Sequence, residues 1–391
     1  MQDVFGELLW RDGVCRACGF ASFMHRSLFP VWLIARFVWL LLAWSILFAP
    51  RAMGGGVLIV DGDPRTVTQA VDVRIVQETA STVDEPSFAA PAVPQLEQPR
   101  VYAGPCYWSV SSRQSAQHPR DWNGCPLEVT QRNPDGSWTR SSIPHLVGQL
   151  QPGTPVLICV HGSFVSVEDN CKESAEAYNA LRASAPGLPV HVIFYTWPSD
   201  GPYTFIAPVD VAVRGCRSDF NGFHIAWLLS NIPDQHPICL WGHSHGNRAV
   251  MSCVQLLAGG EVEDYCFTGY RSQGKRVRIV MAAAAFDHNW LNPGQRYDRV
   301  PGRVEGILNL QNRKDLPLAF YPLSRPFAHR AIARSGVTPR DRSKLGPQAA
   351  KIADCDVTDL LGHAHYWPEY YSRPSIMQTA IPYVYYVGRS G

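Results

Sequence analysis

Residues 238–248 read ICLWGHSHGNR, an apolar run followed by a G-x-S-x-G turn. The apolar run predicts a buried strand, and the residues from Ala249 to Ala258, closed by Gly259-Gly260, predict a helix. Only small residues fit two places before and two places after Ser244 when the turn is this tight. In such a strand–turn–helix unit the serine hydroxyl stands above the sheet edge, and the free N–H groups of the helix N-terminus point at an anion formed there. Ser244 is therefore a candidate nucleophile.

The bare G-x-S-x-G pattern is not specific in a chain that contains 31 glycines, since it also fits a turn in which the serine only caps a helix. The surrounding sequence favours the nucleophile. Val250, Val254 and Leu257 recur with the spacing of one helix face. The segment after the turn therefore has an apolar side that can pack on a sheet.

Strand-like apolar runs alternate with helical segments over the second half of the chain. The predicted strands are Val156–Val160, Val190–Tyr195, Ile238–Trp241, Arg276–Ala283 and Val304–Leu310. Helices are predicted over Glu173–Ala185 and around Phe220–Leu228. Continuous apolar strands between helices are typical of a parallel sheet that is covered on both faces. We therefore expect an α/β fold with a doubly wound, mostly parallel sheet and a site at the carboxyl ends of its strands.

Residues 29–50 are apolar except for Arg36, and the stretch is long enough to span a membrane. We expect a transmembrane anchor there, between a cytoplasmic segment (1–28) and a Gly/Pro-rich linker (51–100), with a catalytic domain over 101–391. A retained anchor is favoured over a cleaved signal peptide because no small-x-small cleavage site closely follows the apolar stretch. A slight excess of positive residues before the stretch predicts a single-pass membrane protein whose domain is extracytoplasmic.

A serine hydroxyl needs a base to take its proton and an acid to orient that base. In a doubly wound hydrolase the acid follows the serine in the sequence and lies in a loop after a later strand. Asp315 fits this position because it follows the strand-like residues 306–310. Asp287, which follows the preceding strand, is the alternative.

The base is expected near the C-terminus, where the segment LGHAHYW contains His363 and His365. We expect His363 to be the base, because Gly362 before it frees the loop, and we keep His365 as the alternative. The oxyanion hole needs two backbone N–H donors. We assign them to His245, directly after the nucleophile, and to Ser163, with Phe164 as the fallback for Ser163.

These residues together resemble the α/β-hydrolase superfamily, and more closely a bacterial α/β-hydrolase family of unknown function. The motifs that carry the resemblance are His161-Gly162, Trp197-Pro198-Ser199, the elbow Gly242-His243-Ser244-His245-Gly246-Asn247, Asp315, and His363-Ala364-His365-Tyr366. The H-x-x-Y/F pattern of that family also favours His363. His245 departs from the family, which often has methionine there. The resemblance implies hydrolysis of an ester, thioester or amide, without naming a substrate.

We therefore expect a membrane-anchored serine hydrolase that cleaves a small-molecule or lipid-like carboxylic ester through an acyl-enzyme, with no cofactor and no metal. The net charge of +2 argues against a nucleic-acid partner, and oligomeric state leaves no signal in the sequence. The alternative is a catalytically inactive hydrolase fold kept as a binding or scaffold protein at the membrane. A metallohydrolase is a third hypothesis, in which zinc binds two H-x-H pairs, His243/His245 and His363/His365. The segment Pro198–Val213 is a candidate lid or pocket wall.

Overall fold

The computed structural model describes residues 106–118, 126–205, 207–269, 274–324 and 327–387. The predicted cytoplasmic segment, transmembrane anchor and linker lie outside these residues. Among the helices that are described, none combines the length and the apolar character that a membrane crossing requires.

Within the described residues, nine strands form one sheet and two short strands form a separate hairpin. In chain order the strands are β1 (Tyr107–Ser111), β2 (Glu128–Arg132), β3 (Trp138–Ser141), β4 (Val156–Val160), β5 (His191–Thr196), β6 (Ile238–His243), β7 (Glu261–Val262), β8 (Tyr265–Cys266), β9 (Val277–Ala282), β10 (Gly306–Gln311) and β11 (Ile352–Asp356). The order in the large sheet is β11-β10-β9-β6-β4-β5-β1-β2-β3, and β7 pairs with β8. Neighbours from β11 to β1 are parallel, while β2 and β3 continue from β1 as an antiparallel meander. The mostly parallel sheet expected from the sequence is confirmed.

Helices connect most of the parallel strands, and three more follow β11. In chain order the described helices are α1 (Ile143–Gly148), α2 (Val167–Ser184), α3 (Ala207–Asn231), α4 (Gly246–Leu257), α5 (Val300–Arg303), α6 (Leu316–Ala319), α7 (Ile332–Ser335), α8 (Pro339–Leu345), α9 (Thr358–Leu361), α10 (Trp367–Tyr371) and α11 (Pro374–Val384). Helix α2 begins six residues before the predicted start, because Ser166 caps it: the Ser166 hydroxyl accepts from the Asp169 N–H at 3.0 Å, and the Asp169 carboxylate bonds back to Ser166.

The core lies on both faces of the central strands. Every residue of β4, β5 and β6 is buried. Because successive side chains of a strand point to opposite faces, both faces must be covered. One face of the sheet packs against α2, α10 and α11. Helices α3 and α4 pack closely against each other. Since β4, β6 and β10 are parallel, the loops that follow them meet at one edge of the sheet.

Candidate active site

Ser244 occupies a strained turn between β6 and α4. Its φ is +49°, in the left-handed region that residues with side chains rarely adopt. A Cβ on Gly242 would lie 2.5 Å from the Asn247 Oδ1 atom, and one on Gly246 would lie 2.5 Å from the His161 carbonyl oxygen. Both positions therefore require glycine, as the motif predicted. The Ser244 N–H donates to the Ala282 carbonyl at 3.0 Å, which ties the turn to the end of β9.

His365 and Asp315 complete a line of hydrogen bonds from the serine. The Ser244 Oγ atom lies 3.1 Å from His365 Nε2, and His365 Nδ1 lies 2.8 Å from Asp315 Oδ2. The Asp315 carboxylate accepts from Nδ1–H, so Nε2 carries the lone pair and accepts from the serine hydroxyl. Asp315 is fully buried and its Oδ1 atom accepts from the Leu318 N–H at 2.9 Å, as the N-cap of α6.

The expectation that His363 lies next to Ser244 is wrong, and the structure places the alternative, His365, there. The exposed His363 ring faces the acid loop, where Nδ1–H donates to the Lys314 carbonyl at 3.0 Å. The His363 carbonyl accepts from the Leu316 N–H at 3.3 Å. His363 thus binds the loop that carries Asp315. The histidine that contacts Ser244 is His365, two residues later.

Two residues for which the sequence predicted no such role hold the His365 segment in this register. The Asn312 side-chain amide donates to the Ala364 carbonyl at 2.9 Å. The His243 Nε2–H group donates to the His365 carbonyl at 2.7 Å. Asn312 follows β10 and His243 ends β6, so the carbonyls on either side of the His365 Cα are fixed from two strands of the sheet. The second position of the G-H-S motif was the available signal for His243.

Asp287, the alternative acid, binds side-chain and backbone donors in another segment of the chain. Its carboxylate accepts from the Tyr321 hydroxyl at 2.9 Å and from the His329 N–H at 3.1 Å. These contacts bind the loop after β9 to the segment around residues 321–331. Asp315 is the acid that the structure brings to the histidine.

The loop after β4 lies against Ser244. A Cβ on Gly162 would come within 2.9 Å of the Ser244 Cβ atom and within 2.8 Å of His243 Nδ1. Among the described residues, neither the Ser163 N–H nor the His245 N–H has a hydrogen-bond acceptor. The Phe164 N–H donates to the Ser199 carbonyl at 2.8 Å, so the fallback donor is already engaged. The two assigned donors are thus the available ones.

Three histidines around the serine are buried and neutral. Burial lowers the pKa of His161, His243 and His245 to about 3 in each case. The His161 ring bonds the Gly162 carbonyl at 2.8 Å and the Thr196 hydroxyl at 2.9 Å, and it stacks on Trp197. His161 thus binds the backbone and a neighbouring hydroxyl and does not contact Ser244 through these bonds. The candidate site therefore contains one imidazole that is bonded to Ser244, that of His365, and three neutral imidazoles around the serine.

The candidate lid is divided between two elements. Residues 207–213 belong to α3, while residues 198–205 form a loop in front of it. The Arg214 guanidinium binds this loop, since it contacts the Ser199 carbonyl and forms an ion pair with Asp210 at 2.6 Å. The Phe164 ring lies 3.9 Å from the same guanidinium carbon. The loop is thereby joined to the residue that follows Ser163.

The H-x-H pairs do not converge as metal ligands in the part of the chain that the structure describes, where no three His, Cys, Asp or Glu side chains form a group able to hold a metal ion. The His243 and His365 rings lie 5.4 Å apart, but the contact between them is the hydrogen bond to the His365 carbonyl.

The matches to known proteins are distant. No protein-family model matches the chain, and no curated protein matches it. The catalytic core domain of acetyl xylan esterase from Trichoderma reesei is 15% identical over 59% of this chain and 91% of that chain, with a TM-score of 0.25. An extracellular α/β-hydrolase from a Paenibacillus species is 14% identical over 60% of this chain and 100% of that chain, with a TM-score of 0.24.

The described residues thus form an α/β fold with a mostly parallel central sheet. The resemblance to one bacterial family of unknown function stays a prediction. Because the TM-scores are low, the function proposed below rests on the geometry of this chain's own site.

Proposed function

We propose that this protein is a serine hydrolase that cleaves carboxylic esters with Ser244 as nucleophile, His365 as base and Asp315 as the acid that orients His365. The observation that carries the proposal is the continuous hydrogen-bonded line from the Ser244 hydroxyl through His365 to the buried Asp315. Three residues from three loops, separated by up to 121 positions, meet in the order that nucleophilic catalysis requires. A strained backbone at the serine adds to this support, since such strain gathers at functional sites.

The geometry supports a two-step reaction. His365 Nε2 takes the hydroxyl proton while Ser244 Oγ attacks the acyl carbon, and Asp315 stabilises the imidazolium that forms. The N–H groups of His245 and Ser163 donate to the negative oxygen of the tetrahedral intermediate. His365 then protonates the leaving alcohol oxygen as the bond to the acyl carbon breaks. Water, deprotonated by His365, attacks the acyl-enzyme and releases the acid.

Exposed apolar side chains around the site favour an ester with a bulky apolar group. Phe164, Leu316 and Tyr366 directly follow Ser163, Asp315 and His365 in the sequence, and they are between 40% and 64% exposed. Single exposed apolar residues are common, but three that each directly follow a proposed site residue would give the site an apolar border. Burial of an apolar substrate group against such a border gains about 25 cal/mol per Å².

The nucleophile is tested with a fluorophosphonate probe, which reacts with activated serines. We expect labelling of the wild-type protein and none of Ser244→Ala, together with hydrolysis of short p-nitrophenyl esters that Ser244→Ala abolishes. Ser184→Ala is the matched control, because the Ser184 hydroxyl only bonds the Ala180 carbonyl within α2. Equal labelling of wild type and Ser244→Ala would contradict the proposal and favour the inactive scaffold.

The apolar border is tested by the dependence of kcat/KM on acyl-chain length. We expect longer p-nitrophenyl esters to be preferred by wild type, and Phe164→Ser and Tyr366→Ser each to reduce that preference. Trp138→Ser is the control, since Trp138 is 39% exposed but lies on β3, the far edge of the sheet from β6. If Trp138→Ser reduced the preference for longer esters as much as Phe164→Ser does, the result would argue against an apolar border at the site.

A further inference from the structure

The side chains of the two residues assigned to the oxyanion hole are bonded to each other. Ser163 Oγ lies 2.8 Å from His245 Nδ1, although the two residues are 82 positions apart. Ser163 lies in the loop after β4, and His245 lies at the start of α4, directly after the nucleophile. One short hydrogen bond therefore connects the two segments whose backbone N–H groups must converge on one oxygen atom.

Both ends of this bond belong to segments that have further hydrogen bonds. The His245 carbonyl accepts from the Arg248 N–H at 2.8 Å and also from the Ser218 hydroxyl, so its backbone is held by α4 and α3. On the other side, the next residue in the loop, Phe164, adopts a φ of +65°, and its N–H turns away to the Ser199 carbonyl. The side-chain bond thus attaches the loop that carries Ser163 to a firmly held helix start.

The bond joins two neutral groups. His245 is 6% exposed, and burial is the main reason that its pKa falls to about 3, with Arg248 lowering it further. Other charged or titratable groups near the ring are Asp219, Arg214 and His365. Neutral imidazole can accept from the Ser163 hydroxyl or donate to it, so the bond persists across the pH range in which His365 would act.

We propose that the Ser163–His245 side-chain bond sets the position of the oxyanion hole, which makes both side chains positioning residues in the hydrolysis proposed above. The inference rests on that proposed function. It assigns a role to the histidine at a position where a backbone N–H alone would suffice for catalysis. Oxyanion donors act through fixed geometry, so a loop that loses its attachment stabilises the developing charge less well and affects the transition state more than the bound substrate.

The test is a double-mutant cycle with Ser163→Ala and His245→Leu in the full chain. We expect each single variant to lower kcat about tenfold with KM changed less than about twofold, and the double variant to lose no more than either single variant. The inhibition constant of a trifluoromethyl ketone, whose adduct carries a tetrahedral oxyanion, should rise about tenfold in all three. Ser163→Thr, which keeps the hydroxyl, should lose less than Ser163→Ala, and Ser184→Ala should match wild type.

Other outcomes overturn the inference. Losses that multiply to about a hundredfold in the double variant would mean that the two side chains act separately. Loss of kcat without a weaker ketone inhibition constant, or a change in KM alone, would mean that the bond does not act on the oxyanion. Fluorophosphonate labelling of Ser244 is measured in every variant. If Ser244 is still labelled and the losses of kcat multiply in the double variant, only this inference is rejected. If the wild-type protein is not labelled, the proposed function itself is rejected.

Discussion

His363 and His365 are two residues apart, and the structure gives them different partners. His365 lies between Ser244 and Asp315, whereas the His363 ring bonds the Lys314 carbonyl at 3.0 Å. We expect His365→Ala to lower kcat by a factor of at least about 10⁴, since loss of the base removes the whole nucleophilic step. His363→Ala should lower kcat by less than about tenfold, because only one loop contact is lost. Steady-state kinetics on a p-nitrophenyl ester compares the two.

The same pair shows why a local sequence pattern could indicate the candidate nucleophile but could not choose between the two candidate bases. The signature of Ser244 is local, because a tight turn demands glycine at two positions within five residues. The choice between His363 and His365 is made by Asn312 and His243, which lie 51 or more positions away in the chain and hold the carbonyls of Ala364 and His365. A larger loss of kcat in His363→Ala than in His365→Ala would reverse this assignment.

At the scale of the element, the turn between β6 and α4 depends on close approach to the end of β4. A Cβ on Gly246 would lie 2.5 Å from the His161 carbonyl oxygen and would also clash with that of Val160. We expect Gly246→Ala to lower the free energy of unfolding by about 2–3 kcal/mol, the usual cost of overpacking. Urea unfolding followed by circular dichroism measures it.

Gly148→Ala is the control for this substitution. Gly148 is the last residue of α1, and an added Cβ would have nothing within 4 Å. Its replacement should change the free energy of unfolding by no more than about 1 kcal/mol, in the stabilising direction that helix propensity favours. Equal losses in Gly246→Ala and Gly148→Ala would mean that the turn accommodates a side chain.

Helices α3 and α4 are joined by a buried charge cluster. Asp219 is fully buried and bonds Arg248, Arg296 at 2.7 Å, and the Tyr297 hydroxyl. Removing the carboxylate leaves the Arg248 guanidinium buried without its counter-charge, so we expect Asp219→Ala to cost about 3–5 kcal/mol of unfolding free energy. Glu305→Ala, which removes a more exposed partner of Arg276 and Arg278, should cost less than about 1 kcal/mol. Comparable costs in urea unfolding would show that Asp219 is not the key partner of Arg248.

The strands that the sequence predicted are the most buried ones. Strand β4 matches its predicted range of Val156–Val160, and the other predicted strands overlap observed ones. Of the strands in the large sheet, β1, β2, β3 and β11 were not predicted, because they read YWSVS, EVTQR, WTRS and IADCD and are only partly buried. Strands near an edge of a sheet need no continuous apolar run, so hydrophobic pattern alone does not reveal them.

At the scale of the whole molecule, buried neutral histidines make the fold sensitive to acid. Burial is the main cause that lowers the pKa of five of them, to about 3 for His161, His243 and His245 and to about 4 for His191 and His224. The unfolded chain binds these protons near pH 6.5 and the folded chain does not. Their contribution to stability is therefore complete above pH 6.5 and is lost as the pH falls toward 4. Glu173, whose pKa is raised to about 7 chiefly by burial, opposes them with one proton.

We expect the free energy of unfolding to decrease steadily between pH 7 and pH 5, by about 2 kcal/mol at pH 5 for each buried histidine. Urea unfolding at half-unit pH steps gives the slope, which should grow as the pH falls and reach a net uptake of about four protons on unfolding near pH 5. His191→Gln should reduce that uptake by about one proton, since the His191 ring is buried and accepts from the Gln151 N–H at 2.8 Å. A free energy that stays level over this range would show that these histidines bind protons equally well in the folded and unfolded chains.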